Sequence, residues 1–173
     1  METPLSVSNF FIKKSTDTGI EVTPMKLLKL VYLAHGWHLG FTEDDLISEA
    51  VEAWKYGPVV KSVYHEFKKY GDEKINQLAS RLQVINSDEI IFKNIIPEVD
   101  RASSRTIKLL DLVWNSYNGY TGLELSSITH QPGSPWDIVY NQGGGKGRLS
   151  VPIPNDIIKD YYKDKVEKLG IGL

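Results

Sequence analysis

The residues best suited to acid–base or metal chemistry in this chain are its four histidines, His35, His38, His65 and His130. Cysteine is absent, which excludes a thiolate nucleophile, a thiolate metal site and a disulfide scaffold. His35 and His38 stand three residues apart and could share a metal from one helix face. No carboxylate follows at a matching helical position, however, and there is no His-Glu-x-x-His pattern. Partly buried, hydrogen-bonded histidines are the ordinary expectation. The run Gly143-Gly144-Gly145-Lys146-Gly147-Arg148 invites comparison with a phosphate loop. Such a loop closes onto Gly-Lys-Ser/Thr between a strand and a helix. Here Gly147 and Arg148 follow Lys146, and the flanks are a helix end and the segment Val151-Pro152-Ile153-Pro154. A mobile surface loop fits better, with Lys146 and Arg148 free to meet an acidic partner. The chain lacks the Gly-x-Ser-x-Gly turn of serine hydrolases, and Glu43-Asp44-Asp45 reads as a solvated turn. No enzyme signature and no cofactor motif emerges.

With no reactive centre in view, the elements that carry these residues become the guide. The 173 residues, 41% hydrophobic and 24% charged, suit one folded domain spanning residues 1–173. The formal net charge is -2, against the basic stripe of a dedicated nucleic-acid binder. The N-terminal residues lack the pattern of a signal peptide. The most apolar run, Leu27 to Ala34, is interrupted by Lys29 and is too short to span a membrane. A cytoplasmic protein is expected.

Ser6 or Ser8 is placed to cap a first helix running to about Lys14. Thr23-Pro24 is an N-cap followed by proline at the first helical position, opening a helix to about Gly40. Its apolar residues point nearly all round the axis, as in a helix at the centre of a domain. The exception is a stripe of Lys26, Lys29, Gly36 and Gly40, where glycine allows close backbone approach or frays the end. Leu46 to Trp54 is a short strand or extended chain. Gly57-Pro58 is expected to begin a helix that Gly71 ends, with Val60, Val63, Phe67 and Tyr70 buried. Leu82–Ile85 and Glu89–Phe92 flank Asn86-Ser87-Asp88 as a β-hairpin. Asp100 to Tyr117 is amphipathic and helical. Thr121…Glu124 and Ser134…Asp137 have capping-box spacing, and Asn155 is placed to cap a last helix. The outcome is a mainly α fold of about seven helices with one small β-hairpin or sheet.

Aromatic placement is the remaining signal. Trp37, Trp54, Tyr56, Trp114 and Trp136 each lie near a Gly or Pro boundary. Tryptophan and tyrosine fill cores at helix junctions, and they also anchor protein interfaces.

Three segments together resemble a known family. They are Thr23-Pro24-Met25-Lys26-Leu27-Leu28-Lys29-Leu30-Val31-Tyr32-Leu33-Ala34-His35-Gly36-Trp37, then Glu52-Ala53-Trp54-Lys55-Tyr56-Gly57-Pro58-Val59-Val60, then Glu124-Leu125-Ser126-Ser127-Ile128-Thr129-His130 with Pro135-Trp136. Their order and spacing are similar to the Panacea domain, the SocA-like or GepA-like domain of bacteria, mobile elements and phages. The likeness spans roughly residues 5 to 165. It implies a largely helical module that acts as the antitoxin of a toxin–antitoxin pair by binding the toxin directly. Some members act instead as adaptors that deliver a toxin to a AAA+ protease. Others carry a further DNA-binding domain, for which a chain of this length leaves no room. The family often has Gln before the Gly-Trp pair, where this chain has His35.

The expected partner is therefore a cognate toxin protein, with a AAA+ protease as the alternative and a homo-oligomer left open. Neither a membrane nor nucleic acid is expected as a partner. Steric blocking of the toxin's active or substrate-binding surface is the expected mechanism. The competing readings are the adaptor, a small hydrolase using His130 or His35, and a nucleic-acid binder. Candidate contact residues are Lys26, Lys29, His35, Trp54, Lys55, Tyr56, Lys146 and Arg148. Trp37, Gly57, Pro58, Thr129, His130, Pro135 and Trp136 are expected to hold the fold.

Overall fold

The helix that opens at Thr23-Pro24 is the axis on which the rest is assembled. In the computed structural model, which describes residues 1–86, 91–170 and 172, it is α2 (Pro24–Thr42). The Thr23 hydroxyl accepts from the Lys26 amide, and the helix is buried along most of its length. It packs against α1 (Pro4–Thr18), α4 (Ser104–Tyr117), α5 (Gly122–Thr129) and α7 (Asn155–Leu169). The glycine stripe accounts for the closest of these contacts. A Cβ at Gly36 would lie 2.3 Å from the Tyr162 ring, and one at Gly40 2.8 Å from the Tyr162 backbone. Only hydrogen fits there, so α7 lies directly on α2.

Helix α1 begins earlier and ends later than expected. Thr3, not Ser6 or Ser8, caps it, accepting from the Ser6 amide at 3.1 Å. Ser8 sits inside the helix and donates to the Pro4 carbonyl at 2.8 Å. Thr16 and Thr18 donate likewise to the carbonyls one turn back, and the helix ends at Gly19, whose φ of 73° is the left-handed cap that glycine favours.

Gly57-Pro58 does not start a helix. Residues Gly57–Val60 form strand β2, paired antiparallel with β1 (Val51–Trp54) through the two-residue turn Lys55-Tyr56. The β-branched pair Val59-Val60 favours a strand, and β2 lies at a sheet edge, where proline is tolerated. Helix α3 starts only at Lys61 and runs to Phe67, followed by a 3₁₀ turn, Lys68–Tyr70. The other neighbour of β1 is β5 (Val151–Ile153), a strand that the sequence did not announce.

The expected hairpin forms from β3 (Arg81–Asn86) and β4 (Ile91–Ile95). Its turn beyond Asn86 and the expected strand residues Glu89 and Ile90 lie outside the described residues. The buried Asn9 side chain holds its base, donating to the carbonyls of Ala79 and Pro97 and accepting from the Ala79 amide.

Helix α4 starts at Ser104 rather than Asp100, because the Asp100 carboxylate accepts from the Ala102 amide and closes a turn there. Helix α5 opens with a complete capping box of Thr121 and Glu124. The second box forms only in half. Ser134 caps α6 (Pro135–Asp137), but the Asp137 carboxylate reaches the Gly133 amide, Asn141 and Gln142. A wide helical turn, Ile138–Gln142, follows. Asn155 does not cap α7. Its side chain turns inward, Nδ2 donating to Asp45 at 2.7 Å and Oδ1 accepting from His35 Nε2 at 3.2 Å. The fold is mainly α, with small antiparallel sheets of three and two strands among the described residues.

Candidate partner-binding surface

Lys29 is the least expected residue of the interior. Its side chain is 1% exposed, and its ammonium donates to the Pro58 carbonyl at 3.1 Å. No carboxylate pairs with it among the described residues. Burial alone pushes its pKa down to about 7. The glycine beside it is required twice over. Gly57 has φ 104°, and a Cβ there would fall 2.6 Å from Lys29 Nζ and 3.1 Å from Thr129 Oγ1.

The same turn is gripped from two further directions. Ser126 of α5 donates its hydroxyl to the Tyr56 carbonyl at 3.0 Å. The Trp136 indole of α6 donates to the Trp54 carbonyl at 2.7 Å. The carbonyls of Trp54, Tyr56 and Pro58 are thus each held by a side chain from a different helix. Ser134, the cap of α6, braces that helix to the end of α5 by donating to the Thr129 carbonyl, and Thr129 donates within α5 to the Ser126 carbonyl. The His130 ring lies 3.7 Å from that of Trp136. Its Nε2 is buried with no hydrogen-bond partner among the described residues. Burial, and then the nearby Lys29 cation, lower its pKa. Both effects favour the neutral ring, which packs against Trp136.

What this bracing presents outward is the tip of the hairpin. Lys55 and Tyr56 are exposed, Tyr56 to 61%, and the Lys55 ammonium sits 5.2 Å from the Tyr56 ring. Opposite them lies the Gly143–Arg148 loop, expected to be mobile. It is folded back onto the wide turn after α6. The amides of Gly143, Gly145 and Lys146 donate to the carbonyls of Ile138, Val139 and Tyr140. Between hairpin and loop opens a groove of about 370 Å³, lined by Ala53, Trp54, Lys55, Tyr140, Arg148 and Leu149 among others. Trp54 is held in its wall by donation to Glu52 at 2.8 Å and an edge contact with Tyr64. Tyr140 stacks on Trp136 at 4.6 Å. Leu149, 94% exposed, stands at the rim.

The candidate contact residues therefore divide. Trp54, Lys55 and Arg148 meet around this groove, with Tyr56 and Lys146 exposed nearby in sequence. Lys29 and His35 do not reach it, being 1% and 0% exposed. Lys26, at 6% exposure, points at the end of α4, its ammonium donating to the Asn118 carbonyl at 2.6 Å. Desolvation lowers its pKa despite the attraction of Glu124. Their place on a central helix, buried all round, removes them from any partner in this conformation. Trp37 donates to the Tyr117 hydroxyl and packs on Tyr162. Gly57, Pro58, Thr129, His130, Pro135 and Trp136 all belong to the bracing of the turn or the helices that supply it. Tyr140 and Leu149 were not singled out from sequence. The one available signal was an isolated leucine following a basic, glycine-rich loop.

Chemically the surface offers contact. No group of three His, Cys, Asp or Glu side chains is placed to hold a metal among the described residues. His38 binds the Asp44 carbonyl instead. No helix among the described residues is long and apolar enough to cross a membrane.

Residues 27–137 match the family described as antitoxin SocA-like, Panacea domain. This chain belongs to that family. A curated relative is the antitoxin SocA of Caulobacter vibrioides (strain NA1000 / CB15N), 28% identical over 158 residues, which covers 91% of this chain and 81% of that protein. No solved structure matches the chain. Membership in the Panacea domain family supports an antitoxin role. The matched segment holds every residue that grips the turn, from Lys29 to Trp136, and ends before Lys146, Arg148 and Leu149. One wall of the groove is thus built by the Panacea domain itself, and the other lies beyond the matched residues.

Proposed function

We propose that this Panacea domain neutralises a cognate toxin by direct protein–protein contact, with the surface around the Lys55-Tyr56 turn covering the toxin's active or substrate-binding face. The observation that carries this is the triple grip on the carbonyls of Trp54, Tyr56 and Pro58. Buried polar side chains are spent on fixing a turn whose own side chains face solvent. A fixed, exposed tyrosine and lysine beside an apolar groove is an arrangement suited to anchoring a partner, because little conformational entropy is lost on docking. A standard interface takes about 600–1,000 Å² from each side, a small part of the 9381 Å² of accessible surface here. The groups that could have served a hydrolase, His35 and His130, have their unpaired ring nitrogens buried, which favours binding over catalysis.

The test is a rescue assay. The protein encoded beside this one is expressed alone and then together with it; growth is followed and the complex is captured from rescued cells. Growth arrest relieved with a co-purifying pair is the expected result. Arrest relieved while the toxin disappears would instead indicate delivery to a protease. Relief without either association or loss of the toxin would refute direct contact.

A further inference from the structure

Among the described residues, the cations at and beside the groove have no carboxylate to answer them. Lys55, Lys146 and Arg148 take part in no ion pair among the described residues, although the chain as a whole has a formal net charge of -2. Glu52 and Asp137, two acids near these cations in sequence, are already engaged. Glu52 accepts from Trp54 and pairs with Lys61 at 2.9 Å, and Asp137 accepts from Gly133, Asn141 and Gln142. Lys55 stands on the hairpin wall and Arg148 on the loop wall, while the lining between them includes Ala53, Trp54, Tyr140 and Leu149. A ligand that complements this needs an apolar group for the groove and negative charge on both sides of it.

We propose that the groove takes an acidic segment of the toxin, in which an apolar side chain seats against Tyr140 and Leu149 while flanking carboxylates meet Lys55 and Arg148. This rests on the reading of the surface as the toxin-binding one and adds the chemistry of what it binds. The guanidinium of Arg148 offers a bidentate fork to a carboxylate. Lys55, held over an aromatic ring, offers a point charge. Long-range attraction between such patches speeds encounter and falls with salt. A single-stranded nucleic acid is the rival ligand for a basic, aromatic groove, and the structure disfavours it. Base stacking needs open ring faces. Here Trp54 meets Tyr64 edge-on, Tyr140 has one face stacked on Trp136, and the Lys55 ammonium lies over one face of Tyr56, so each ring already has a partner within the chain. A phosphate backbone also needs a row of cations rather than an apolar floor.

The experiment compares wild type with the Lys55→Glu, Arg148→Glu double variant. Both positions are exposed, and circular dichroism confirms that the variant folds. Binding is measured to the intact protein encoded beside this one and, separately, to a fluorescent oligothymidylate. The expected result is at least a tenfold loss of toxin affinity in the double variant, and an affinity that falls with salt in wild type but hardly in the variant. Changing individual Asp or Glu residues of the toxin to Lys should restore binding to the variant, and the restoring positions should flank an apolar residue. If wild type and variant bind the toxin equally, the acidic-segment proposal fails while toxin binding stands. If wild type does not bind the toxin at all, both readings fail together. If oligothymidylate binds wild type and is lost in the variant, while no toxin carboxylate restores binding, the groove is a nucleic-acid site and the proposal is overturned.

Discussion

Replacing Lys29 with methionine should abolish most of the gain in stability that this protein shows as the pH is raised from neutral. The ammonium is 1% exposed and is held by one carbonyl, that of Pro58. Its pKa falls from 10.5 in the unfolded chain to about 7 in the folded one. Between these values the unfolded chain holds a proton that the folded chain has released, so stability rises with pH across that window. Integrating the difference from about pH 7 to about pH 9 gives a gain of about 2 kcal/mol attributable to this one amine. Other groups contribute little to the contrast. The lowered pKa values of His35, His38 and His130 place their effect below neutrality. Burial raises those of Tyr32 and Tyr162, so their effect lies above about pH 10. Lys26 shifts in the same sense as Lys29 but is present in both proteins and cancels. Methionine keeps an unbranched apolar side chain, one atom shorter, and removes the charge. It leaves the Pro58 carbonyl bare, at a cost of about 1–3 kcal/mol independent of pH. The assay is urea unfolding of wild type and Lys29→Met at a series of pH values. The unfolding free energy of wild type should climb by about 2 kcal/mol more than that of the variant between about pH 7 and pH 9. Parallel pH profiles would refute the argument, because they would mean that the buried amine is either paired or wet.

Gly57→Ala should destabilise by about 2 kcal/mol or more, read as a lowered melting temperature, since it adds a strained positive φ to a Cβ placed 2.6 Å from Lys29 Nζ. Gly40→Ala should also destabilise, by about 1–3 kcal/mol in urea unfolding. In an open helix that change would stabilise by up to about 1 kcal/mol, but here the new methyl meets the Tyr162 backbone at 2.8 Å, which cannot swing aside. A stabilised Gly40→Ala would show that α7 is not seated on α2. Ser126→Ala removes the donor to the Tyr56 carbonyl and should cost about 1 kcal/mol, with faster amide exchange at the turn. Tyr56→Ala should leave the melting temperature within about a degree yet weaken toxin capture at least tenfold if this ring is an anchor.

The helices were legible because their signals are local. Thr23-Pro24, the Thr121…Glu124 box and the all-round apolarity of Leu27 to Ala34 depend on residues within one or two turns. Gly57-Pro58 misled because the same dipeptide opens helices and closes tight turns. Its strand exists through pairing with Val51–Trp54, together with β5, nearly a hundred residues further on. Asn155 looked like a cap, but tertiary partners, His35 and Asp45, claimed its side chain. Lys29 carried two conflicting signals, a charge that belongs outside and a helix that belongs inside. The carbonyl that settles the conflict lies on another element. Of the candidate surface, Lys55 and Tyr56 stood out because they sit within a distinctive segment. Tyr140 and Leu149 did not, since only the folding back of the glycine-rich loop gives them a role.

The division between what grips the turn and what the turn displays bears on how such a protein changes. Side chains pointing inward from three helices fix the backbone at Trp54, Tyr56 and Pro58. The outward residues at 55, 56, 146, 148 and 149 make no buried contact that the fold depends on. Substitutions at such positions usually alter stability by no more than about 0.5 kcal/mol, whereas each can change what a partner meets. Mutation can therefore sample new partners at these positions one residue at a time, without passing through an unfolded intermediate. Drift at Lys29, Gly57, Ser126 or Trp136 would instead loosen the turn and lower the stability of the fold. On the proposed reading of this surface, a lineage built this way keeps one scaffold while exchanging the proteins it opposes.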